Sequence, residues 1–175
     1  MSEPSKKNPD TLYEEMMERA FFYLGRYAAS RARLARYLRK RFRELPEAEL
    51  EEALPRVLRR VEELGIIDDR EYASRRIEGL RARGKSRRAI ERDLYEKGID
   101  RELAAELLRS SSAEDERLSA LIFIRSRRLG AFRRRERGFD KELAALGRAG
   151  FSYAIAREVL ELSLEDAERA IEEAR

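Results

Sequence analysis

Cysteine and histidine are both missing from this chain, and their absence excludes disulfides, thiolate nucleophiles, imidazole acid–base chemistry and the usual zinc ligands. Any catalysis would have to run on carboxylates, Lys, Tyr or Ser. Prolines number only four in 175 residues while 42% of the residues are charged, a composition that favours helices. No stretch approaches the roughly 20 apolar residues that a membrane-spanning helix needs, and the opening MSEPSKKNPD lacks the apolar segment of a secretory signal. These absences point to a soluble, cytoplasmic protein that keeps away from membranes and holds no metal or other cofactor.

Charge is abundant, but its two signs are segregated. The net charge of +4 hides blocks: residues 11–43 hold 9 basic and 3 acidic groups, 44–69 hold 3 and 9, 70–97 hold 10 and 5, 98–118 hold 3 and 6, and 119–138 hold 7 and 1. The last 15 residues turn acidic again, with 2 against 6. Such a chain offers one face to polyanions and another to cationic partners or to itself, and a solvated helical surface is the plainer reading.

Apolar residues recur at helical spacing almost throughout. In the middle of the chain Tyr72, Ala73, Ile77 and Leu80 share one helix face, Ile90 and Leu94 a second, Leu103 and Leu107 a third. Between them stand Gly84-Lys85-Ser86 and Gly98-Ile99-Asp100, each a glycine suited to ending a helix two residues before a Ser or Asp suited to capping the next. The pattern recurs: a shift of 52 residues lays Leu94, Gly98, Leu103 and Leu108 on Leu146, Gly150, Ile155 and Leu160, and a shift of 59 lays Asp10, Tyr13 and Gly25 on Asp69, Tyr72 and Gly84.

The expected fold is therefore all-α, with three tandem trihelical (helix-turn-helix-like) modules packed end to end into an elongated, curved body. The boundaries read as a flexible tail over 1–10, modules over 11–66, 67–110 and 111–162, and a short acidic helix over 163–175. Pro55 is expected to open the third helix of the first module, which leaves LPEAELEEAL as an insertion before it. No segment reads as a strand; even LIFI, 121–124, has helix-forming flanks.

Several motifs carry competing readings. GLRARGKS, 79–86, matches the phosphate-loop pattern G-x-x-x-x-G-K-[ST] at every fixed position. A working loop needs a buried strand before its first glycine and, elsewhere, a strand ending in Asp for magnesium; only the helix that should follow is present. The preferred reading is that Gly84 ends a helix and Ser86 caps the next. Asp68, Asp69 and Glu71 resemble an acid–base or metal cluster, but Asp68 with Glu71 three residues on is a charged capping box with too few oxygens for a cation. Phe21, Phe22, Tyr23 and Tyr27 offer stacking surfaces for single-stranded bases, yet on an amphipathic helix they read first as core. Phe132, Phe139 and Tyr153 divide in the same way.

The basic runs are the most informative polar feature. RARGKSRR, 81–88, sets four arginines and a lysine around a turn, and RSRRLGAFRRRERG, 125–138, carries seven arginines. Arginine forks suit phosphates and carboxylates alike, so nucleic acid and an acidic protein surface are both open as partners. Arg125, Arg127, Arg128, Arg133, Arg134 and Arg135 are the candidate contacts of the second run. The third helices, DRELAAELL and SYAIAREVL, are acidic or neutral, which argues against an operator-reading helix-turn-helix.

Residues 64–100, LGIIDDREYASRRIEGLRARGKSRRAIERDLYEKGID, resemble the central module of the RecX regulatory proteins: a double Asp, an aromatic followed by Ala, a small-residue basic turn, and a Leu before a Lys-Gly-hydrophobic step. RAFFYLGRYAASRARLARYLRKR is similar to the opening pair of helices in that family, including Arg26, Ser30 and Leu34. The likeness runs over about residues 15–162, and LPEAELEEAL and the basic link LGAFRRRERG depart from it. It implies a non-enzymatic modulator, mainly an inhibitor, of the RecA recombinase, which binds the RecA filament on single-stranded DNA and blocks its extension or promotes its disassembly. The implied partners are the RecA filament and, directly or through RecA, single-stranded DNA, met by a monomer. Carried onto matching positions, the implied contacts are Tyr72, Arg75, Arg76, Arg81, Arg83, Lys85, Arg87 and Arg88. The alternative is a RecA-independent, sequence-tolerant nucleic-acid-binding protein.

Overall fold

The computed structural model describes residues 8–109, 112–136 and 138–174. Ten α-helices and one 3-10 turn, Gly130–Phe132, make up the regular structure of the described residues. The helices are α1 (Pro9–Leu24), α2 (Arg31–Arg41), α3 (Glu47–Glu63), α4 (Asp69–Arg81), α5 (Arg87–Glu96), α6 (Arg101–Arg109), α7 (Ala113–Arg127), α8 (Phe139–Ala149), α9 (Tyr153–Glu161) and α10 (Leu164–Glu173). The all-α expectation holds: no strand occurs among the described residues, and LIFI lies inside α7 with Leu121 and Ile124 buried. Of the expected tail, 1–7 lie outside the described residues, whereas 9 and 10 already belong to α1, whose Asn8 cap accepts the Asp10 amide at 3.1 Å.

Two compact units divide the chain, one of residues up to 72 with 97–99, the other of 73–96 with 100–175. The division runs through the middle one of the three expected modules. In the first unit Leu12, Met16 and Ala20 recur every fourth residue along α1 and meet Leu34 and Leu38 of α2 and Leu50, Leu54, Val57, Leu58 and Val61 of α3. Burying such side chains is worth about 1.5–3 kcal/mol each, which is what holds helices this short.

Here one expectation is corrected. Pro55 does not open a helix; it sits inside α3, which runs unbroken from Glu47 to Glu63, so LPEAELEEAL is helix from Glu47 on rather than insertion. An interior proline costs about 3 kcal/mol through its missing N–H and its clash with the preceding turn. The apolar stripe continues on both sides of it, from Leu50 to Val61, while Pro55 itself faces solvent, so burial along the whole stripe outweighs the local defect.

The main core of the second unit is built from Leu121 and Ile124 of α7, Leu129, Leu146 of α8, Phe151, Val159 and Leu160 of α9, and Ile171 of α10. Ala73, Ile77 and Leu80 of α4 and Ile90 and Leu94 of α5 are buried as their spacing requires. In α6 the buried pair is Ala104 and Leu108, one step round from Leu103 and Leu107, which are half-buried.

Ser30 and Ser86 are almost wholly buried, and each hydroxyl bonds in two directions. Ser86 Oγ accepts the Ala89 amide at 3.2 Å, capping α5, and donates to the Ala149 carbonyl at 2.6 Å. Ser30 Oγ accepts the Arg33 amide at 3.2 Å, capping α2, and donates to the Lys97 carbonyl. Both acceptors directly precede a left-handed glycine, Gly150 at φ 98° and Gly98 at φ 74°. A Cβ on Gly150 would lie 2.6 Å from Ser86 Oγ and one on Gly98 would strike Ala32, so only glycine admits the contact. A carboxylate completes each joint: Asp69 Oδ1 accepts the Arg31 amide at 2.8 Å, and Glu116 Oε2 accepts the Arg87 amide at 2.9 Å.

Ser86→Ala and Ser30→Ala each remove a cap and strand a distant carbonyl, so each is expected to cost about 2 kcal/mol in urea unfolding. Ser152→Ala, which removes only an exposed cap on the Ile155 amide, is expected to cost about 1 kcal/mol in the same measurement.

Candidate functional site

The basic turn between α4 and α5 is built by a helix stop and a helix start. Gly79 lies inside α4 with no atom near its missing side chain. α4 then ends through Gly84, left-handed at φ 68°, with the amides of Ala82, Arg83, Gly84 and Lys85 donating to the carbonyls of Glu78, Leu80, Arg81 and Leu80. Those are the amides that a phosphate cradle would aim at its ligand, and here α4 consumes them. A Cβ on Gly84 would stand 2.6 Å from the Phe123 amide nitrogen and 2.9 Å from the Ser119 carbonyl, so the glycine admits the backbone of α7 rather than a nucleotide. The Ser86 hydroxyl is committed to its cap and to Ala149.

The central candidates separate by what their side chains do. Arg83, Lys85 and Arg88 are exposed around the turn. Arg87 is exposed too, with Nε 3.1 Å from Glu91 one helical turn on. Arg75 is exposed on α4. Arg81 reaches Asp115 at 3.9 Å. Arg76 crosses from α4 to α5 and holds both carboxylate oxygens of Asp93, Nη2 to Oδ2 at 2.8 Å, in the bidentate geometry that suits an internal brace. Tyr72 belongs to the first unit and is half-buried in the first turn of α4.

The second run divides likewise. Arg125 and Arg127 are exposed in the last turn of α7, with Arg127 5.9 Å from the centre of the Phe123 ring. Arg128 ends that helix in the left-handed region at φ 56°. Arg133 turns back: Nε donates to the Gly130 carbonyl at 2.9 Å and Nη2 lies 3.5 Å from Glu142. Glu142 is fully buried and accepts the Gly130 amide at 3.0 Å. Arg134 and Arg135 are exposed.

Beside Arg87 and Arg88 the second unit carries an open groove of about 410 Å³, with Ser112 and Ser152, the caps of α7 and α9, among its lining residues. Three helix starts and two arginines border this groove, with the Arg87, Ser112, Asp115 and Ile155 amides taken by Glu116, Asp115, Ser112 and Ser152. Glu116 also lines it. Burial pushes the Glu116 carboxyl above the ordinary value of 4.5, an effect that the Arg87 amide and the charges of Arg87 and Arg81 only partly offset. Burial likewise raises the Asp69 carboxyl, against the hydrogen bond from Arg31. The structural roles of Asp69, Glu116 and Glu142 left no mark in the sequence, where all three stand among exposed-looking charges. The aromatics divide: Tyr23 and Phe132 pack against the cores as expected, whereas Phe21, Phe22, Tyr27, Phe139 and Tyr153 are exposed. Among the described residues no cluster of His, Cys, Asp or Glu is arranged to hold a metal ion, and no helix is long and apolar enough to cross a membrane.

Fold and site together define a class: an all-helical protein of short helices tied through their capped ends, with arginines left outward at the turns. A family model described as "RecX, second three-helix domain" matches residues 68–108, the segment that contains this turn. The regulatory protein RecX of Myxococcus xanthus is 36% identical over 171 residues, covering 91% of each chain. That of Streptomyces coelicolor is 36% identical over 142 residues, 78% of this chain and 71% of the relative. The crystal structure of RecX from Lactobacillus salivarius shares the fold, with a TM-score of 0.66 at 18% identity over 91% of this chain and 99% of that one. The chain belongs to the RecX family of regulatory proteins.

The two glycines of GLRARGKS should respond in opposite ways. Gly79→Ala is expected to raise stability by about 0.5–1 kcal/mol, because glycine is a poor helix-interior residue. Gly84→Ala, with positive φ and no room, is expected to lower it by about 3 kcal/mol, both read from urea midpoints. Glu116 binds its proton more tightly in the folded state than in the unfolded chain, so its ionisation subtracts stability as pH rises from 4.5. Glu116→Gln keeps an oxygen for the Arg87 amide and removes that dependence. Its stability relative to wild type is expected to rise from about pH 4 to about pH 7 in unfolding titrations.

Proposed function

We propose that this protein is a non-enzymatic modulator, mainly an inhibitor, of the RecA recombinase, and that it binds the RecA filament on single-stranded DNA and blocks its extension or promotes its disassembly. Membership of the RecX family over nine-tenths of the chain carries this reading. The chemistry required is docking. Arg83, Lys85, Arg87 and Arg88 present a cationic surface to acidic groups of RecA or to strand phosphates, and Arg125, Arg127, Arg134 and Arg135 present a second. Arg76, Arg81 and Arg133, engaged by Asp93, Asp115 and Glu142, support those surfaces from within. The protein acts as a monomer in the cytoplasm, and any ATP hydrolysis is the partner's.

At stoichiometric ratios the wild-type protein is expected to lower RecA's DNA-dependent ATPase and strand exchange and to speed filament disassembly followed in real time. Arg83→Glu with Arg87→Glu and Arg88→Glu is expected to weaken that effect at least about tenfold, with the fold intact by circular dichroism. A wild-type protein that leaves both RecA activities unchanged removes the reading. The RecA-independent alternative would instead show tight binding to bare strands, a steep salt slope and the same effects without RecA.

A further inference from the structure

We infer that the first unit carries a binding platform for single-stranded nucleic acid at the end of α1, where Phe22 and Tyr27 stack on bases and Arg26, Arg33 and Arg36 take the phosphates. This goes beyond the filament reading, because the contact is with the strand itself and needs no RecA.

Large aromatic rings normally leave water when a helix folds onto a core, and these do not. Phe21, Phe22 and Tyr27 are 44%, 52% and 53% exposed, although α1 has an apolar face that buries Leu12, Met16 and Ala20. The rings are held rather than loose. Tyr23 stacks on Tyr37 of α2 with centroids 4.2 Å apart and planes at 17°, and Tyr27 leans on Tyr23 at 5.2 Å. The Arg26 guanidinium lies 4.3 Å from the centre of the Phe22 ring. Arg33 stands close enough to Tyr23 for their interaction to raise its pKa above the ordinary value, while burial opposes the shift.

The charge around the rings selects the occupant. Residues 19–43 contain nine basic groups and no acidic one. α3 supplies Glu62 to Arg31 and Glu51 to Arg39, whereas Arg26, Arg36 and Lys40 make no ion pair among the described residues. Arg33, Arg36, Tyr37 and Lys40 share one helical stripe by their spacing of three and four. Preordered rings set among cations form the pattern that binds a flexible, unpaired strand: each base has a π-face to stack, and each phosphate meets an arginine. A duplex keeps its bases inside its own stack and gains nothing from the rings.

The test uses the full chain and fluorescein-labelled oligothymidine of about 20 nucleotides, with an abasic strand of equal length. Phe22→Ala combined with Tyr27→Ala, both at the surface, is expected to keep the circular dichroism melt and to bind oligothymidine at least about tenfold more weakly. Its salt slope is expected to stay unchanged, while Arg26→Ala is expected to lower the slope by about 0.7. Wild type is expected to discriminate against the abasic strand, and the double variant to lose that discrimination. Unchanged affinity of the double variant, or equal wild-type affinity for the two strands, overturns the proposal. So does a double variant with normal strand binding but weakened RecA inhibition, which makes the rings a protein contact. A wild type that engages strands through the rings yet leaves RecA unaffected keeps this platform and removes only the filament reading.

Discussion

The hydroxyls of Ser30 and Ser86 tie together segments 67 and 63 residues apart, each accepting an amide of its own helix and donating to a distant carbonyl. Helices of nine to eleven residues, such as α2, α5, α6 and α9, are marginal alone, because few residues repay the cost of nucleation. Their ends carry orphan amides and carbonyls that must find partners once water is excluded. Here the orphans satisfy one another, a carbonyl ahead of a left-handed glycine meeting a cap serine, and the amide after that serine meeting a carboxylate from another helix start. The geometry occurs twice, once in each unit, with Asp69 beside Ser30 and Glu116 beside Ser86.

This arrangement reshapes the electrostatics. The acidic blocks read from composition as an outer surface, yet Asp69, Asp115 and Glu116 of those blocks are occupied with partners in the protein, as are Asp93 and Glu142 elsewhere in the chain. Internal pairing also takes Arg76, Arg81 and Arg133. Exposed pairs such as Arg157 with Glu161 contribute little to stability and leave their charges to solvent. The cations left facing outward have most freedom to meet a polyanion; Arg83, Lys85, Arg87, Arg88, Arg125 and Arg127 stand at or beside helix ends, and Arg134 and Arg135 in the link before α8.

Local chemistry could be read along the chain with accuracy. Gly84 before Ser86, Gly98 before Asp100 and Gly150 before Ser152 do end and start helices, because a cap is settled by atoms within a few residues. The phosphate-loop look-alike dissolves for the same reason, its amides being claimed by the preceding turn. Readings failed where distant packing overrides a local preference. Pro55 has the signature of a helix start, but burial from Leu50 to Val61 carries the helix through it. The rings near the end of α1 have the signature of core residues, but the face that packs on α2 and α3 already holds Leu12, Met16 and Ala20.

The helical period, the glycine stops, the polar caps and the family likeness all follow from residues close together in the chain, because their physics is that of backbone hydrogen bonds spanning three to five positions. Tertiary structure alone decided which charges face inward and which rings stay wet. The Arg76 side chain finds Asp93 across 17 residues, the Arg117 side chain finds Glu158 across 41 and Ser86 finds Ala149 across 63. An arginine's availability to a partner depends on whether a carboxylate arrives from so far away, and only the folded chain brings the two together.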